Sequence, residues 1–174
     1  LFAFLPVVFL VYHALPSLRW KNLFLVLASL IFYAYGEPIY VLLMLLSSAV
    51  NYELGLLAAG KGRAAKAALA AAVAVNLSVL CVFKYTGFIL ENVNLLFGVS
   101  IPVPSIDMPI GISFFTFQAL SYVIDVYRGD VQPQKNYGKV LLYISFFLHL
   151  IAGPIVKYHD IEREIEDRKQ TSEG

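Results

Sequence analysis

Six stretches of this sequence carry no Lys, Arg, Asp or Glu: Leu1 to Leu18, Asn22 to Gly36, Pro38 to Tyr52, Ala67 to Phe83, Met108 to Ile124 and Val140 to Val156. Each approaches the roughly 20 apolar residues that an α-helix needs to cross a bilayer. Hydrocarbon offers no partner to backbone N–H and C=O groups, so such runs close their hydrogen bonds within helices or within a closed barrel. The period-2 alternation of a barrel is missing. The expected fold is therefore all-α: a polytopic transmembrane bundle over residues 1-156, with about six membrane helices plus interfacial helices.

Composition points the same way. Of 174 residues, 59% are hydrophobic and 14% charged, which removes the disordered and ordinary soluble classes. The net charge is +1 and no basic face suggests nucleic-acid binding, so the expected partners are membrane lipids and not nucleic acid. A single cysteine, Cys81, excludes an internal disulfide and a cysteine metal cage. His13 and His149 sit in apolar runs, His159 lies among charges, and no HxxxH spacing joins them, so a metal site is not expected. Nucleotide and nucleophile-elbow motifs are absent, which leaves soluble-type phosphate and acyl chemistry without a foothold.

Charges punctuate the runs. Arg19 and Lys21 separate the first two, Gly36-Glu37-Pro38 makes a turn before the third, and Lys61, Arg63 and Lys66 precede the fourth. By the positive-inside rule both basic clusters face the cytoplasm, with Glu37 and the Gly98 to Asp107 loop outside. Lys84 to Phe97 mixes Glu91, Asn92 and Asn94 with large apolar residues, as an interfacial or half-crossing helix does. Three prolines between Ser100 and Pro109 then reset the chain. Residues 157-174 turn abruptly polar, with Tyr158, Ile161 and Ile165 near one helical face, and read as a charged amphipathic membrane-surface helix or tail. The chain opens inside an apolar run and ends on TSEG, which suggests a piece of a longer protein.

The most informative segment is Met108 to Asp130. Its polar residues Gln118, Ser121, Tyr122 and Asp125 recur at i, i+3, i+4 and i+7, which gathers them into one stripe on a helix. Thr116, Ala119, Leu120, Val123 and Ile124 fill the opposite arc, the side expected to meet lipid. An acid in a membrane helix is a candidate functional group because a charge in hydrocarbon is costly. Asp125, three residues before Arg128, also fits a water-exposed helix end, and Gln118 also fits an interhelical hydrogen bond.

A second segment, Tyr143 to Tyr158, is broken by Gly153-Pro154, a bend whose freed backbone groups need protein or cavity water. His149 lies beside it and is the histidine placed deeply enough to line a substrate path. Glu37, Asn51, Glu53 and Asn76 read as turn or helix-contact residues, and Ala64 to Ala74 offers small side chains for close packing.

PIGISFFTFQALSYVIDVYRG at Pro109 to Gly129, followed by FFLHLIAGPIVKYHDI at Phe146 to Ile161, resembles the membrane-bound O-acyltransferases, in particular the alginate O-acetylation branch. WKNLFLVLASLIFYAYGEPIY at Trp20 to Tyr40, Asn51-Tyr52 and FKYTGF at Phe83 to Phe88 extend the likeness over nearly the whole chain. Where relatives commonly read FFPQLIAGPI, Leu148 and His149 stand here in place of Pro and Gln.

The resemblance implies a helix bundle around a tunnel in the bacterial inner membrane. There an acyl group from a cytoplasmic thioester such as acetyl-CoA passes toward a hydroxyl of an exported polysaccharide, with periplasmic acetyltransferase partners; no bound cofactor is implied. The family's histidine base follows the second motif at a distance that neither His149 nor His159 matches, so it is expected beyond Gly174. Gln118, Ser121, Tyr122, Asp125 and His149 are then the tunnel candidates, and Gly153 and Pro154 the bend. Polar-striped helices also build transporters and scaffolds, and D-alanyl transfer to teichoic acid is the more distant enzymatic alternative.

Overall fold

The computed structural model describes residues 4–104, 108, 109 and 111–146, and these are all-helical, with no strand among them. His149, Gly153, Pro154 and the 157-174 segment lie outside the described residues. The helices are α1 (Phe4–Ala14), α2 (Leu18–Gly36), α3 (Tyr40–Ala58), α4 (Arg63–Leu80), α5 (Thr86–Phe97), α6 (Ile112–Arg128) and α7 (Tyr137–Ser145).

Turn chemistry sets the ends of these elements. After α2 the Glu37 amide closes onto the Tyr33 carbonyl at 2.8 Å, and Pro38 starts the chain back. Gly129 ends α6 with φ +79°, a left-handed conformation that a Cβ disfavours. At the start of α7, the Asn136 side chain accepts a hydrogen bond from the Gly138 amide at 2.9 Å, a regular N-cap.

Among the described residues two helices are long and apolar enough to cross a membrane: Tyr40–Ala58, with 19 residues, and Arg63–Phe97, with 35. The second joins segments that the charge pattern separates. Lys84 is a good helix former, and between Ala67 and Phe97 only Gly87 weakens the helix, so α4 runs on into α5 through a single π-helical turn at Cys81–Tyr85. There Thr86 Oγ1 bonds back to the Val82 carbonyl at 2.7 Å. At 1.5 Å per residue this helix is about 52 Å long, well beyond the roughly 30 Å of hydrocarbon. The other apolar windows form shorter or more polar helices: α1 has 11 residues and α6 has 17.

The exterior is more apolar than that of a soluble protein, and polar side chains lie within the core. Ser29, Ser47, Ser48, Asn51, Asn76, Thr116 and Gln118 are buried, while Ile31, Leu42, Leu46 and Phe88 are each about two-thirds exposed. Small residues are buried on both α3 and α4, which pack together: Ala65, Ala68 and Ala72 on α4, and Ser47, Asn51, Gly55 and Ala58 on α3. The Ala64 to Ala74 stretch thus packs as expected from its side-chain size. At the centre, Met44, Phe115, Tyr122, Tyr143 and Ile144 form the main apolar cluster, and a smaller one joins α1, α2 and α7 through Val8, Leu25 and Leu141.

The helices gather their cations at one end. The Tyr52 hydroxyl donates to the Lys135 carbonyl at 2.8 Å, and Lys139 shares a cavity with Arg19. Arg19, Lys21, Lys61, Arg63, Lys66, Arg128, Lys135 and Lys139 therefore belong to helix ends and loops on the same side, which orients the chain after Lys84 relative to the first two basic clusters.

Candidate functional site

Helix α6 carries the polar stripe, and it packs on α3, α4 and α7. Gln118, Tyr122 and Asp125 are all buried; Asp125 is only 7% exposed, which rules out the water-exposed helix end as its setting. Arg128 instead pairs with Asp130 at 3.4 Å, in the solvent-exposed turn. Ser121 departs from its three companions. It is half-buried on the outer margin of α6, beside Phe117, which is 43% exposed.

The opposite arc also differs from expectation. Thr116, Ala119 and Val123, assigned from the sequence to the lipid side, are buried, and only Leu120 and Ile124 are partly exposed. A single-helix pattern assumes one protein-facing side. Here three neighbouring helices enclose α6, so the outward edge narrows to the line of Phe117, Ser121 and Ile124.

Tyr122 is the pivot of the site. Its ring lies over Gly55 of α3 so closely that a Cβ there would sit 2.5 Å from ring atom Cε1. Its hydroxyl accepts a hydrogen bond from the Gln134 amide at 3.1 Å, which ties the α6–α7 loop to the bundle. The Gln134 side chain in turn accepts from the Asn136 amide at 3.1 Å. Two more tyrosines hold the same loop. Tyr52 bonds Lys135, and Tyr137 meets Ser48 Oγ at 2.8 Å and donates to the Leu45 carbonyl at 3.2 Å. The Tyr52 and Tyr137 rings meet edge to face, with centroids 5.6 Å apart. Replacing Tyr122 by Phe should leave the packing on Gly55 intact and weaken the loop anchor by about 1 kcal/mol. Faster hydrogen exchange at the Gln134 amide would report it.

Beneath this clasp lies a buried amide pair. Asn76 Nδ2 donates to Asn51 Oδ1 at 2.7 Å, and Asn51 Nδ2 donates to Asn76 Oδ1 at 3.2 Å. Each amide also donates to the carbonyl four residues back in its own helix, Ser47 for Asn51 and Ala72 for Asn76. Both groups are therefore well satisfied and serve as helix contacts. The pairing of Asn51 with Asn76, the tyrosine clasp and the cavity between Arg19 and Lys139 are the parts of this region that sequence patterns do not reveal. One signal was available: Ser47, Ser48, Asn51 and Gly55 recur at helical spacing as a small, polar seam in an apolar run.

Curated relatives decide the kinship. Over 98% of its length the chain is 39% identical to a "probable alginate O-acetylase" of Pseudomonas aeruginosa, of which it covers 34%. It is 37% identical to a protein of the same name from Azotobacter vinelandii, again over 98% of its length and 36% of the relative. Over 97% of its length it is 33% identical to a peptidoglycan O-acetyltransferase of Helicobacter pylori, of which it covers 38%. The relatives that the chain matches along nearly its whole length are of the membrane-bound O-acyltransferase type. It spans about a third of the length of the O-acyltransferases it matches. No protein-family model matches it, and no solved structure does.

Gln118 and Asp125 are buried side chains of α6, and the close fit of Tyr122 on Gly55 holds that helix against α3. Cys81 is exposed on the outer surface.

Proposed function

We propose that this chain is part of a multi-pass inner-membrane enzyme that moves acetyl groups from a cytoplasmic thioester donor, such as acetyl-CoA, toward hydroxyls of an exported polysaccharide. The observation that carries this is the pair of relative names. Alginate and peptidoglycan share little as polymers, and what the two names have in common is O-acetyl transfer to a glycan. The apolar exterior of the bundle supports a lipid setting, and the amides and hydroxyls buried within it suit a hydrophilic path inside.

By the positive-inside rule the cation-rich end of the bundle faces the cytoplasm, where the donor arrives. Gln118 and Asp125 are then path-lining groups on α6, with Ser121 at its edge. The histidine base belongs to residues other than His13, His149 and His159, and periplasmic partners complete delivery to the polymer.

Labelled acetyl-CoA supplied to the full-length protein with its partners tests this. Gln118→Leu combined with Asp125→Asn should lower acetyl transfer to polysaccharide by about tenfold or more, corresponding to at least about 1.4 kcal/mol in the barrier. Unchanged transfer in a correctly inserted variant would remove the stripe from the mechanism. No labelled glycan with the wild-type protein would remove the enzymatic assignment.

A further inference from the structure

Between α2 and α7, at the cation-rich end, lies an open cavity of about 400 Å³. Arg19 and Asn22 enter it from α2, and Asn136 and Lys139 from the start of α7. Two cations and two amides thus converge from helices more than a hundred residues apart in sequence, a donor set suited to phosphate oxygens. The rest of the lining is largely apolar, with half-exposed Leu23 and buried Val26 from α2 and buried Leu141 from α7. Arg19, Asn22 and Val26 follow one another at i, i+3 and i+7, so the change from charged to apolar runs along one helix face over about 10 Å.

We infer that this groove is a binding site for an anionic phospholipid, with its phosphate between Arg19 and Lys139 and its acyl chains over Leu23, above the buried Val26 and Leu141. The site rests on the membrane orientation proposed above, which sets this end at headgroup depth. A soluble phosphate ester needs the cations but gains little from the apolar floor; a lipid uses both. Basic clefts between helices on the cytoplasmic side select acidic headgroups by this combination of charge and apolar contact.

Purified full-length protein in mixed micelles, titrated with phosphatidylglycerol or phosphatidylcholine and followed by native mass spectrometry, reads the site directly. Phosphatidylglycerol should be retained in preference to phosphatidylcholine. Arg19→Ala with Lys139→Ala should weaken that retention about 30-fold, from roughly fivefold per cation. Lys139→Gln alone covers the case in which the double variant does not fold, Lys139→Arg should keep retention, and Lys61→Ala, outside the cavity, should leave it unchanged. Equal retention by wild type and the Arg19 and Lys139 charge-removal variants would overturn the site. So would a loss confined to coenzyme A binding, which would make the occupant a soluble phosphate ester. Retention is read without acetyl transfer, so failure of this site and failure of the enzymatic assignment are separable.

Discussion

Replacing either member of the buried amide pair, Asn51→Leu or Asn76→Leu, should destabilise the protein by about 1–3 kcal/mol, because the surviving amide loses its partner in the interior. Leu has the same heavy-atom branching as Asn but is bulkier, so an overpacking cost accompanies the loss of polarity and only the double-mutant cycle isolates the pair. The double variant leaves no orphaned amide and should recover part of the loss, giving a coupling energy in a double-mutant cycle. Both single changes leave one donor on its own helix, to the Ser47 or the Ala72 carbonyl, which keeps the cost below that of a fully unpaired group. Thermal unfolding of the purified full-length protein in detergent is the measurement. Strictly additive losses would show that the two amides do not act as a pair.

Gly55→Ala is the second large effect expected. The glycine adopts ordinary helical backbone, so the constraint is space alone: the new methyl would meet the Tyr122 ring at 2.5 Å. Ring, helix α6 or both must shift, and overpacking of this kind costs about 1–3 kcal/mol. Movement of α6 would carry Gln118 and Asp125 with it and loosen the Gln134 anchor, so acetyl transfer should fall together with stability. Tyr122→Leu in the Gly55→Ala background removes the clash and should restore part of the stability. It should not restore the loop anchor, which needs the hydroxyl. If Gly55→Ala unfolds at the wild-type temperature, the close approach of α3 and α6 is not a constraint.

Run length and helical spacing made much of this architecture legible in the sequence. Among the described residues each uncharged window overlaps a helix, and Gln118, Tyr122 and Asp125 of the polar stripe are buried while Ser121 is only partly so. What stayed hidden depends on neighbours. Thr116, Ala119 and Val123 read as lipid-facing because one helix's pattern says nothing about how many helices surround it. The pairing of Asn51 with Asn76 joins residues on two arms of a hairpin, and no periodicity within either arm encodes it. Lys84 looked like a boundary because charge often marks the end of a membrane run; a lysine nonetheless continues a helix readily, and the 35-residue rod is the result. Arg19 and Lys139 come together only once α2 and α7 are packed.

The proposed acyl path rests on an apolar exterior around buried polar groups such as Gln118. With Cys81 changed to Ser, nitroxide labels placed singly at Ile31, Leu46, Phe117 and Gln118 of the full-length protein in liposomes measure this arrangement through collision rates with oxygen and with a polar nickel chelate. Labels at Ile31, Leu46 and Phe117 should collide often with oxygen and rarely with the chelate, as in hydrocarbon, while the label at Gln118 should be shielded from oxygen. Frequent chelate collisions at Ile31 and Leu46 would place that surface in water and contradict the account.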